Sequence, residues 1–497
     1  MIGSRWNRGA KPGIDFARLP ISLQNLSKLP PAAWSAMAIV VAAFAGAATA
    51  YGGDTKAAAA LVALLVVAAL LAGPRELILW ALVAVLAVFP GTAYGQSLGS
   101  SADTLFSRGS GQLPIPIFEI ALVGAVGIFA FRYPARLRAV GGPVVVLILL
   151  VVLYLFAVGL ALASGFSIAE ALNGTGGRLL VVAATAAIAT VIALDDTSAL
   201  ARLLTVLQIL GFGVAVFGIW RYFVAGGDPS NPYLDYSAID IRLSYYENAY
   251  AWVMTAALWI ALLRWVPGLG GGTMRHRGVV LAADLITVGV TVVALLLTYR
   301  RTNYLAVIVG AFCLLLALRR GRLAILAGAA AALGSFNILQ QARDLSGFGI
   351  ALFEFSGEDS RKNELLLAWQ TVLNNPLGQG VFGAYSGSPG VGWPAPPTLV
   401  HDVFLWIGLK LGWVGVLLLL LALGLGTVRA YRSLTSGDTL DTHISAVMLA
   451  LAGTWAITFT FSTPLLETRL AALFGVWLGA VSCLVVGARR RGNSQVR

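Results

Sequence analysis

Charged residues are scarce in this sequence. Asp, Glu, Lys and Arg together make up 11% of its 497 residues, whereas about 25% is usual in a soluble domain. Hydrophobic residues reach 58%, and the mean hydropathy is +0.84. This composition excludes a chain of soluble domains and predicts a protein that lies in a bilayer.

Cysteine is almost absent as well. Cys313 and Cys483 are the only two in the sequence, and each lies inside an apolar run. We therefore expect neither a disulfide framework nor a nucleophilic thiol, and we interpret both side chains as ordinary packing residues.

Long apolar runs recur along nearly the whole chain. Many are long enough to cross about 30 Å of hydrocarbon as a helix, and they lack the alternation of barrel strands. We predict an all-α, polytopic transmembrane helical bundle with about fourteen spans and about twelve as the lower limit. The predicted spans cover residues 33–51, 57–72, 76–89, 115–131, 144–163, 179–194, 203–224, 247–263, 279–298, 303–318, 323–339, 401–428, 443–463 and 469–486.

The net charge of +12 is unevenly distributed along the chain. Lys and Arg crowd the loops that an even number of spans assigns to one side, which predicts that this side and both termini are cytoplasmic. The excess charge thus reports topology and attraction to membrane lipids, and no nucleic acid partner is expected. We expect a basic cytoplasmic segment (1–32) without a cleavable signal peptide, a transmembrane domain (33–487) and a basic cytoplasmic tail (488–497).

Several cations break this charge rule. An isolated outer arginine pair often extends to lipid head groups, but a larger set kept outside indicates an anionic ligand at the outer surface. The cations near outer loops or outer helix ends are Arg221, Arg242, Arg300, Arg301, Arg343, Arg361, Lys362 and Arg469.

One outer loop, residues 340–400, is far longer than a usual connection. Within it, residues 360–376 carry apolar side chains at helical spacing and end at Asn-Pro, which predicts an amphipathic helix at the membrane interface. The following stretch GQGVFGAY offers turns and aromatic side chains suited to a sugar groove. A lid that only packs is an equally open interpretation.

Histidine is rare, with three in the chain. His276 and His443 fall at the cytoplasmic side, which leaves His401 alone at the outer surface. A lone histidine at a helix start is more often a cap than a base, but the nearby arginines favour a role in chemistry. Lys410 lies about 13 Å deeper by helix rise, where an ammonium is costly unless paired, and the sequence identifies no partner for it.

Four stretches in the second half of the chain form an ordered set. They are IRLSYYENAYAWVM (241–254), YRRTNYLA (299–306), NPLGQGVFGAY (375–385) and HDVFLWIGLKLGWVG (401–415). Together they resemble the O-antigen ligase and O-antigen polymerase superfamily, bacterial integral-membrane glycosyltransferases with a C-type architecture. The sequence departs from the family pattern at Thr302, Asp402 and Lys410, where glycine, asparagine and an acidic residue are common, and this leaves subfamily and acceptor open.

The resemblance implies transfer of a glycan from a polyprenyl pyrophosphate carrier of the undecaprenyl type to a hydroxyl acceptor. The reaction would take place at the outer face of the bacterial cytoplasmic membrane, with inversion and without a cofactor. No Asp-x-Asp occurs in an outer loop, so no metal site is expected. Guanidinium groups can instead neutralise the leaving pyrophosphate.

The resemblance also implies roles for individual residues. Arg301 falls on one family arginine and Arg242 on the other, and both are assigned to a phosphate clamp. His401 is assigned as general base or acceptor-orienting residue, although Asp402 or Glu247 could do the same work. The expected substrate-binding residues are Arg300, Arg361, Tyr245, Asn248, Tyr385 and Asp402.

Other functions stay open at this stage. A flippase for lipid-linked oligosaccharides is the main competitor from another class, and a structural scaffold of the envelope is the third interpretation. Within the enzyme interpretation, the acceptor could be a growing glycan, a lipid or a protein hydroxyl. We lean towards the ligase.

Overall fold

The computed structural model describes residues 117–138, 140–173, 177–194, 197–228, 242–245, 248–265, 277–298, 301–317, 358–387, 400–435, 439–461 and 468–494. All regular secondary structure in these ranges is helical. The helices are α1 (Ile117–Arg132), α2 (Pro134–Leu137), α3 (Gly142–Ala163), α4 (Ile168–Asn173), α5 (Arg178–Ala193), α6 (Thr197–Phe223), α7 (Asn248–Leu263), α8 (Arg277–Leu296), α9 (Arg301–Ala317), α10 (Glu358–Asn374), α11 (Val403–Leu434), α12 (Thr439–Phe461) and α13 (Thr468–Ser494).

Among the described residues, four helical segments are long and apolar enough to cross a membrane. They are Gly142–Ala163, Ala199–Phe223, Val403–Leu434 and Thr442–Phe461, and six shorter apolar helices accompany them. The predicted spans 33–51, 57–72, 76–89 and 323–339 lie outside the described residues, and every other predicted span coincides with a helix. The all-helical fold is thereby confirmed for the described residues, with helices apolar enough to span a membrane, whereas the number of spans and the topology stay predictions.

Helix α3 illustrates how these segments form. It contains no charged residue and is rich in valine, which favours strands in water. In hydrocarbon every backbone group must be satisfied within the segment, and this requirement favours a helix. The helix ends where Gly165 adopts φ 92°. There the N–H groups of Gly165 and Phe166 donate back to Leu162 and Ala161, a Schellman ending that glycine allows.

Small residues bring α5 and α13 into close parallel contact. A methyl group on Gly475 would collide with the Ala183 carbonyl, and one on Gly479 would lie 2.6 Å from the Ala187 carbonyl oxygen. Lipid supplies no hydrophobic force between helices, so membrane bundles depend on such close backbone approach.

Contacts along α7 and α12 show that these helices are antiparallel. Trp252 near the start of α7 packs against Trp455 near the end of α12, with ring centroids 4.8 Å apart. His443 near the start of α12 lies 3.3 Å from the Ile260 carbonyl oxygen near the end of α7. The beginning of α7 and the end of α12 therefore lie at one end of the bundle.

We call this end, at which α11 also begins, the His401 end. Phe404 in the first turn of α11 packs against Phe459 in the last turn of α12, with centroids 6.1 Å apart. Arg469 at the start of α13 donates a hydrogen bond to the Tyr250 hydroxyl in α7. The starts of α7, α11 and α13 and the end of α12 are thus neighbours.

The opposite end carries basic side chains held by acceptors. Arg136 donates to the Ile192 carbonyl oxygen at 2.9 Å, and Arg264 pairs with Asp284 at 2.9 Å. This placement agrees with the charge asymmetry in the sequence.

Helix α10 runs beside the first half of α11 in the same direction. Glu364 contacts His401 at 3.0 Å, just before α11 begins. Two turns after Glu364 in α10, the Val372 side chain would lie 3.0 Å from a methyl group added to Gly408, which is two turns after His401. The end of α10 therefore reaches Gly412, about 16 Å from His401 along the helix and about half of the hydrocarbon depth of a membrane.

The glycine-rich segment after α10 is joined to a break in α11. At Gly412 the backbone leaves the helical region, with φ 66° and ψ −164°. Three backbone hydrogen bonds bridge the break. They run from the N–H groups of Gln379, Gly380 and Trp413 to the carbonyl oxygens of Leu409, Lys410 and Pro376, at 2.8, 3.0 and 2.9 Å respectively.

The chain then turns back towards the His401 end. A methyl group on Gly387 would lie 3.3 Å from Leu367, so this glycine has returned to the level of the middle of α10. Residues 358–387 therefore form a re-entrant hairpin. The amphipathic helix expected over residues 360–376 is confirmed, but it packs along α11 and does not lie flat across the helix ends.

Replacement of Gly412 by alanine is expected to destabilise the protein. The conformation of Gly412 is essentially restricted to glycine, so a side chain costs about 1–3 kcal/mol in strain alone. The new methyl group would also collide with the Pro376 carbonyl oxygen. We expect a lower thermal unfolding temperature for the purified protein in detergent.

Gly424→Ala is the matched control in the same helix, because a methyl group at Gly424 meets no atom within 4 Å. This variant should unfold at the wild-type temperature or slightly above it. Equal unfolding temperatures for the two variants would contradict the tight joint at Gly412.

Candidate functional site

His401 and Glu364 form a carboxylate–imidazole dyad at the His401 end. The imidazole Nδ1 lies 3.0 and 3.2 Å from the two carboxylate oxygens, and the His401 backbone N–H also donates to Glu364 at 3.2 Å. Glu364 is fully buried, whereas the His401 side chain is 30% exposed. An ionised carboxylate can only accept, so a neutral imidazole in this contact donates from Nδ1 and has its acceptor lone pair on Nε2.

The sequence around the dyad positions its members for local reasons. Asp402 has extended backbone angles and caps α11, because its Oδ1 accepts the Leu405 N–H at 2.8 Å. Burial raises the pKa of Asp402 to about 6, although its bonds to the backbone N–H groups oppose the shift. A carboxylate engaged in a cap is less available as a base, which favours His401 for that role.

Arg242 begins a short segment held between two helix ends. Asp228, just past α6, donates its N–H to the Leu243 carbonyl oxygen at 2.8 Å, and Ser244 donates its N–H to Leu297, just past α8, at 2.9 Å. A methyl group on Gly227 would lie 3.3 Å from the Arg242 Cα. The backbone of this segment is therefore fixed, while the Arg242 side chain is exposed.

Two buried arginines flank two stacked tyrosines beneath this segment. Arg221 pairs with Asp228 at 2.8 Å, and its guanidinium lies 5.4 Å from the Tyr245 ring. Tyr245 stacks on Tyr250 at 4.6 Å. Arg469 donates to the Tyr250 hydroxyl and lies 5.3 Å from the same ring. The ion pair and the ring contacts offset only part of the cost of burying Arg221, whose Nη1 has no hydrogen-bond partner among the described residues. Both arginines are held by groups of the protein itself at the His401 end.

Arg301 is the first residue of α9. Two hydrogen bonds show that its backbone lies near the segment that contains Arg242. The Ser244 N–H bonds to Leu297, four residues before Arg301. Asn303 in the first turn of α9 donates to the Thr298 hydroxyl at 3.2 Å, which ties the end of α8 to the start of α9. The structure thus brings the chain segments of both proposed clamp arginines to the His401 end.

The other predicted site residues differ in their positions. Arg361 is exposed on α10, one turn before Glu364, and Asn248 begins α7. Tyr245 and Tyr385 are buried, and the Tyr245 hydroxyl donates to Val214 at 2.7 Å. Predicted residues outside the described ranges are Arg300, Arg343 and Glu247.

Lys410 has the partner that the sequence did not reveal. Its Nζ donates to the Gly383 carbonyl oxygen at 2.6 Å, deep beside the break in α11. Gly383 can approach this closely because a side chain there would collide with the Leu409 carbonyl. The lysine therefore holds the re-entrant hairpin against α11.

Glu364 is the residue that sequence reasoning missed. It shares the buried face of α10 with Ala368 and Val372, at helical spacing. An acidic residue in line with Ala368 and Val372 is costly to bury without a partner. This face is opposite the one that contains Leu366, Trp369 and Leu373, so the amphipathic pattern did not single out Glu364. Its partner His401 lies 37 positions away, so spacing alone could not identify the pair.

Within the ranges that the structure describes, no three His, Cys, Asp or Glu side chains come together as a metal-ligand group. The absence of a metal requirement stays a prediction for assay. No model of a known family matches this sequence, and no curated protein matches it. The family resemblance drawn from the motifs accordingly stays a prediction too.

We expect the substitution Asp402→Asn to remove the part of the pH dependence of stability that comes from the titration of Asp402. The pKa of Asp402 rises from 3.8 to about 6 on folding. Between these values the unfolded chain has lost the proton that the folded chain keeps, so the contribution of Asp402 to stability falls as pH rises. Asparagine also caps helices well.

The measurement is thermal unfolding of both proteins at pH 4 and pH 7. The variant should gain stability relative to the wild type on going to the higher pH. If the difference in unfolding temperature between the variant and the wild type is the same at pH 4 and pH 7, the raised pKa of Asp402 is contradicted.

Proposed function

We propose that this protein transfers a glycan from a polyprenyl pyrophosphate carrier to a hydroxyl acceptor, as an O-antigen-ligase-like glycosyltransferase. The observation that carries the proposal is the His401–Glu364 dyad, which lies at the same end of the bundle as the segments of Arg242 and Arg301. A base and a set of cations at one end of a membrane bundle fit a substrate with a reacting hydroxyl and a leaving phosphate.

The dyad supplies the acceptor half of the reaction. As the acceptor oxygen forms its bond to the anomeric carbon, the His401 Nε2 takes the hydroxyl proton. Glu364 accepts from Nδ1 and stabilises the imidazolium that forms, because its buried carboxylate lies 3.0 Å away. One carboxylate thereby fixes the tautomer and balances the charge.

The arginines serve the leaving group. The bond between the anomeric carbon and the pyrophosphate oxygen breaks with its electron pair, so negative charge grows on the phosphates. Arg242 is exposed on a fixed backbone segment, and Arg301 begins the adjacent helix. Guanidinium groups there pair with phosphate oxygens in bidentate fashion, without a metal ion. Attack opposite the leaving group inverts the anomeric centre.

The proposed setting is the bacterial cytoplasmic membrane, crossed about fourteen times with both termini inside and the His401 end outside. The basic side chains at the opposite end support this orientation, among them Arg136 and Arg264. A lipid acceptor defines a ligase, whereas a growing glycan or a protein hydroxyl would define related enzymes of the same superfamily.

One observation favours a second candidate, a flippase for lipid-linked oligosaccharides. Transporters often use broken helices near the membrane midplane, and α11 breaks at Gly412. The break is, however, bridged by the hairpin, through three backbone hydrogen bonds and the Lys410 ammonium. We therefore rank the enzyme first.

The first test is a transfer assay with purified protein in lipid, a polyprenyl pyrophosphate oligosaccharide and candidate acceptors. We expect transfer that a chelator does not affect. Arg301→Ala and Arg242→Ala should each lower kcat/KM by about 100-fold or more, because each removes a partner of the developing charge. His401→Gln should impair transfer while its amide can still bond to Glu364.

Arg432→Ala is the control, since Arg432 is exposed at the opposite end and should not affect transfer. Normal turnover in Arg301→Ala, or a strict requirement for added magnesium, would contradict the clamp. Movement of labelled carrier across vesicles without a new bond would support the flippase.

The second test concerns Glu364 as a positioning residue. Glu364→Gln keeps the shape and can accept from Nδ1, but it removes the negative charge. We expect kcat to fall by about 100-fold, with little change in KM for the donor, because only the charged imidazolium is affected.

Glu170→Gln is the matched control. Glu170 is exposed in α4, where it accepts the Ser167 N–H and hydroxyl at 2.8 and 2.7 Å, and glutamine completes the same cap. Its activity should equal that of the wild type. An unchanged kcat in Glu364→Gln, with the wild-type unfolding temperature, would remove the dyad from the mechanism.

A further inference from the structure

Lys410 is a buried cation that the proposed reaction does not use. Its side chain is 4% exposed. Among the described residues its ammonium meets no carboxylate, and its hydrogen bond goes to the Gly383 carbonyl oxygen at 2.6 Å. Such a bond is charge-assisted, and breaking it would leave an unpaired charge inside the bundle. This contact therefore resists opening more than a bond from a neutral donor would.

Gly383 lies in the part of the hairpin that turns back towards the His401 end. We call residues 380–387 the return segment. The backbone bonds across the break in α11 fix the bend of the hairpin, and among them the Lys410 carbonyl oxygen accepts the Gly380 N–H at 3.0 Å. The Lys410 side chain extends this attachment to Gly383, three residues further along. One residue thereby anchors both the bend and the return segment.

The return segment carries this constraint to the helix of the dyad. At its far end, a methyl group on Gly387 would lie 3.3 Å from Leu367. Leu367 follows Glu364 by about one turn of α10. Glu364 in turn contacts the His401 imidazole at 3.0 Å. A continuous set of contacts thus leads from Lys410, about 13 Å deeper along α11, to the dyad.

We propose that Lys410 is a positioning residue for the general base. By fixing the return segment, its ammonium keeps α10 at the height at which Glu364 meets the His401 ring and selects the tautomer with the proton on Nδ1. A misplacement of about 1 Å, caused far from the reacting atoms, can cost a reaction about 100-fold in rate. The coupling is a property of this chain alone, whereas its effect on transfer rests on the proposed function.

The test is the tautomer of His401, measured by solid-state NMR of the full-length protein in lipid with 15N-labelled histidine. The chain has three histidines, and the ring signal that disappears in His401→Gln belongs to His401. At about pH 8, where an ordinary imidazole is neutral, the wild type should carry the proton on Nδ1. Lys410→Met keeps the length of the side chain but cannot donate, and we expect it to lower the share of this tautomer several-fold.

Transfer gives the second readout. We expect kcat of Lys410→Met to fall by about 10-fold or more with little change in KM for the donor, because a misplaced base weakens the transition state and not donor binding. Gln379→Met is a milder variant of the same attachment, since the exposed Gln379 side chain accepts the Ala384 N–H of the return segment at 2.9 Å. It should shift the His401 tautomer in the same direction by a smaller amount.

Thr427→Val is the matched control. The Thr427 hydroxyl donates to the Leu423 carbonyl oxygen at 2.8 Å, in α11 beyond the break. This variant therefore also loses one side-chain hydrogen bond to a carbonyl, but far from the hairpin, and its His401 signal should equal that of the wild type.

An unchanged His401 signal in folded Lys410→Met would overturn the proposal, because the lysine would then be an anchor without effect on the dyad. An equal change in Thr427→Val would overturn it too. If Lys410→Met does not fold, Gln379→Met decides in the same way. A shifted tautomer in Lys410→Met, together with a wild type that transfers no glycan, would reject the proposed function and retain the positioning role.

Discussion

The break in α11 is the constraint on which the His401 end depends. A helix interrupted near the middle of a membrane leaves backbone groups without partners, and each unsatisfied group costs several kcal/mol in hydrocarbon. Here the glycine-rich segment meets them, through N–H groups of Gln379 and Gly380 and the carbonyl of Pro376. The hairpin cannot leave without exposing these groups. Its attachment in turn sets the register of α10, so that Glu364 lies against His401.

Buried and exposed charges have different roles in this structure. Arg221 pairs with Asp228, and Lys410 bonds to the Gly383 carbonyl. Because a buried ion without a partner is costly, such groups hold segments in place. Arg242 and Arg361 are exposed on backbone that the buried groups fix. A cation that binds a charged ligand must be exposed in this way, because the ligand has to reach it.

Sequence reasoning predicted the helices well but could not predict their mutual packing. Apolar runs locate α3 and the start of α11 to within two residues, because burial in lipid demands long uncharged segments. The position of α10 was missed, since an amphipathic pattern reports an apolar face and not what covers it. Lys410 appeared unpaired for a related reason: its acceptor is a backbone carbonyl, and every residue has one. His401 was recognisable by its rarity, but Glu364 required the fold.

The dyad depends on how α10 packs against α11, and this has a consequence for the proposed mechanism. General base catalysis needs the reacting oxygen within about 3 Å of the base, a tolerance that mobile lipids do not meet unaided. Glu364 and Leu373 lie on opposite faces of one helix, and Gly408 lets that helix pack closely on α11. The imidazole is thereby held through a few rigid contacts, and in the proposed reaction these contacts fix the atom that the acceptor hydroxyl must reach.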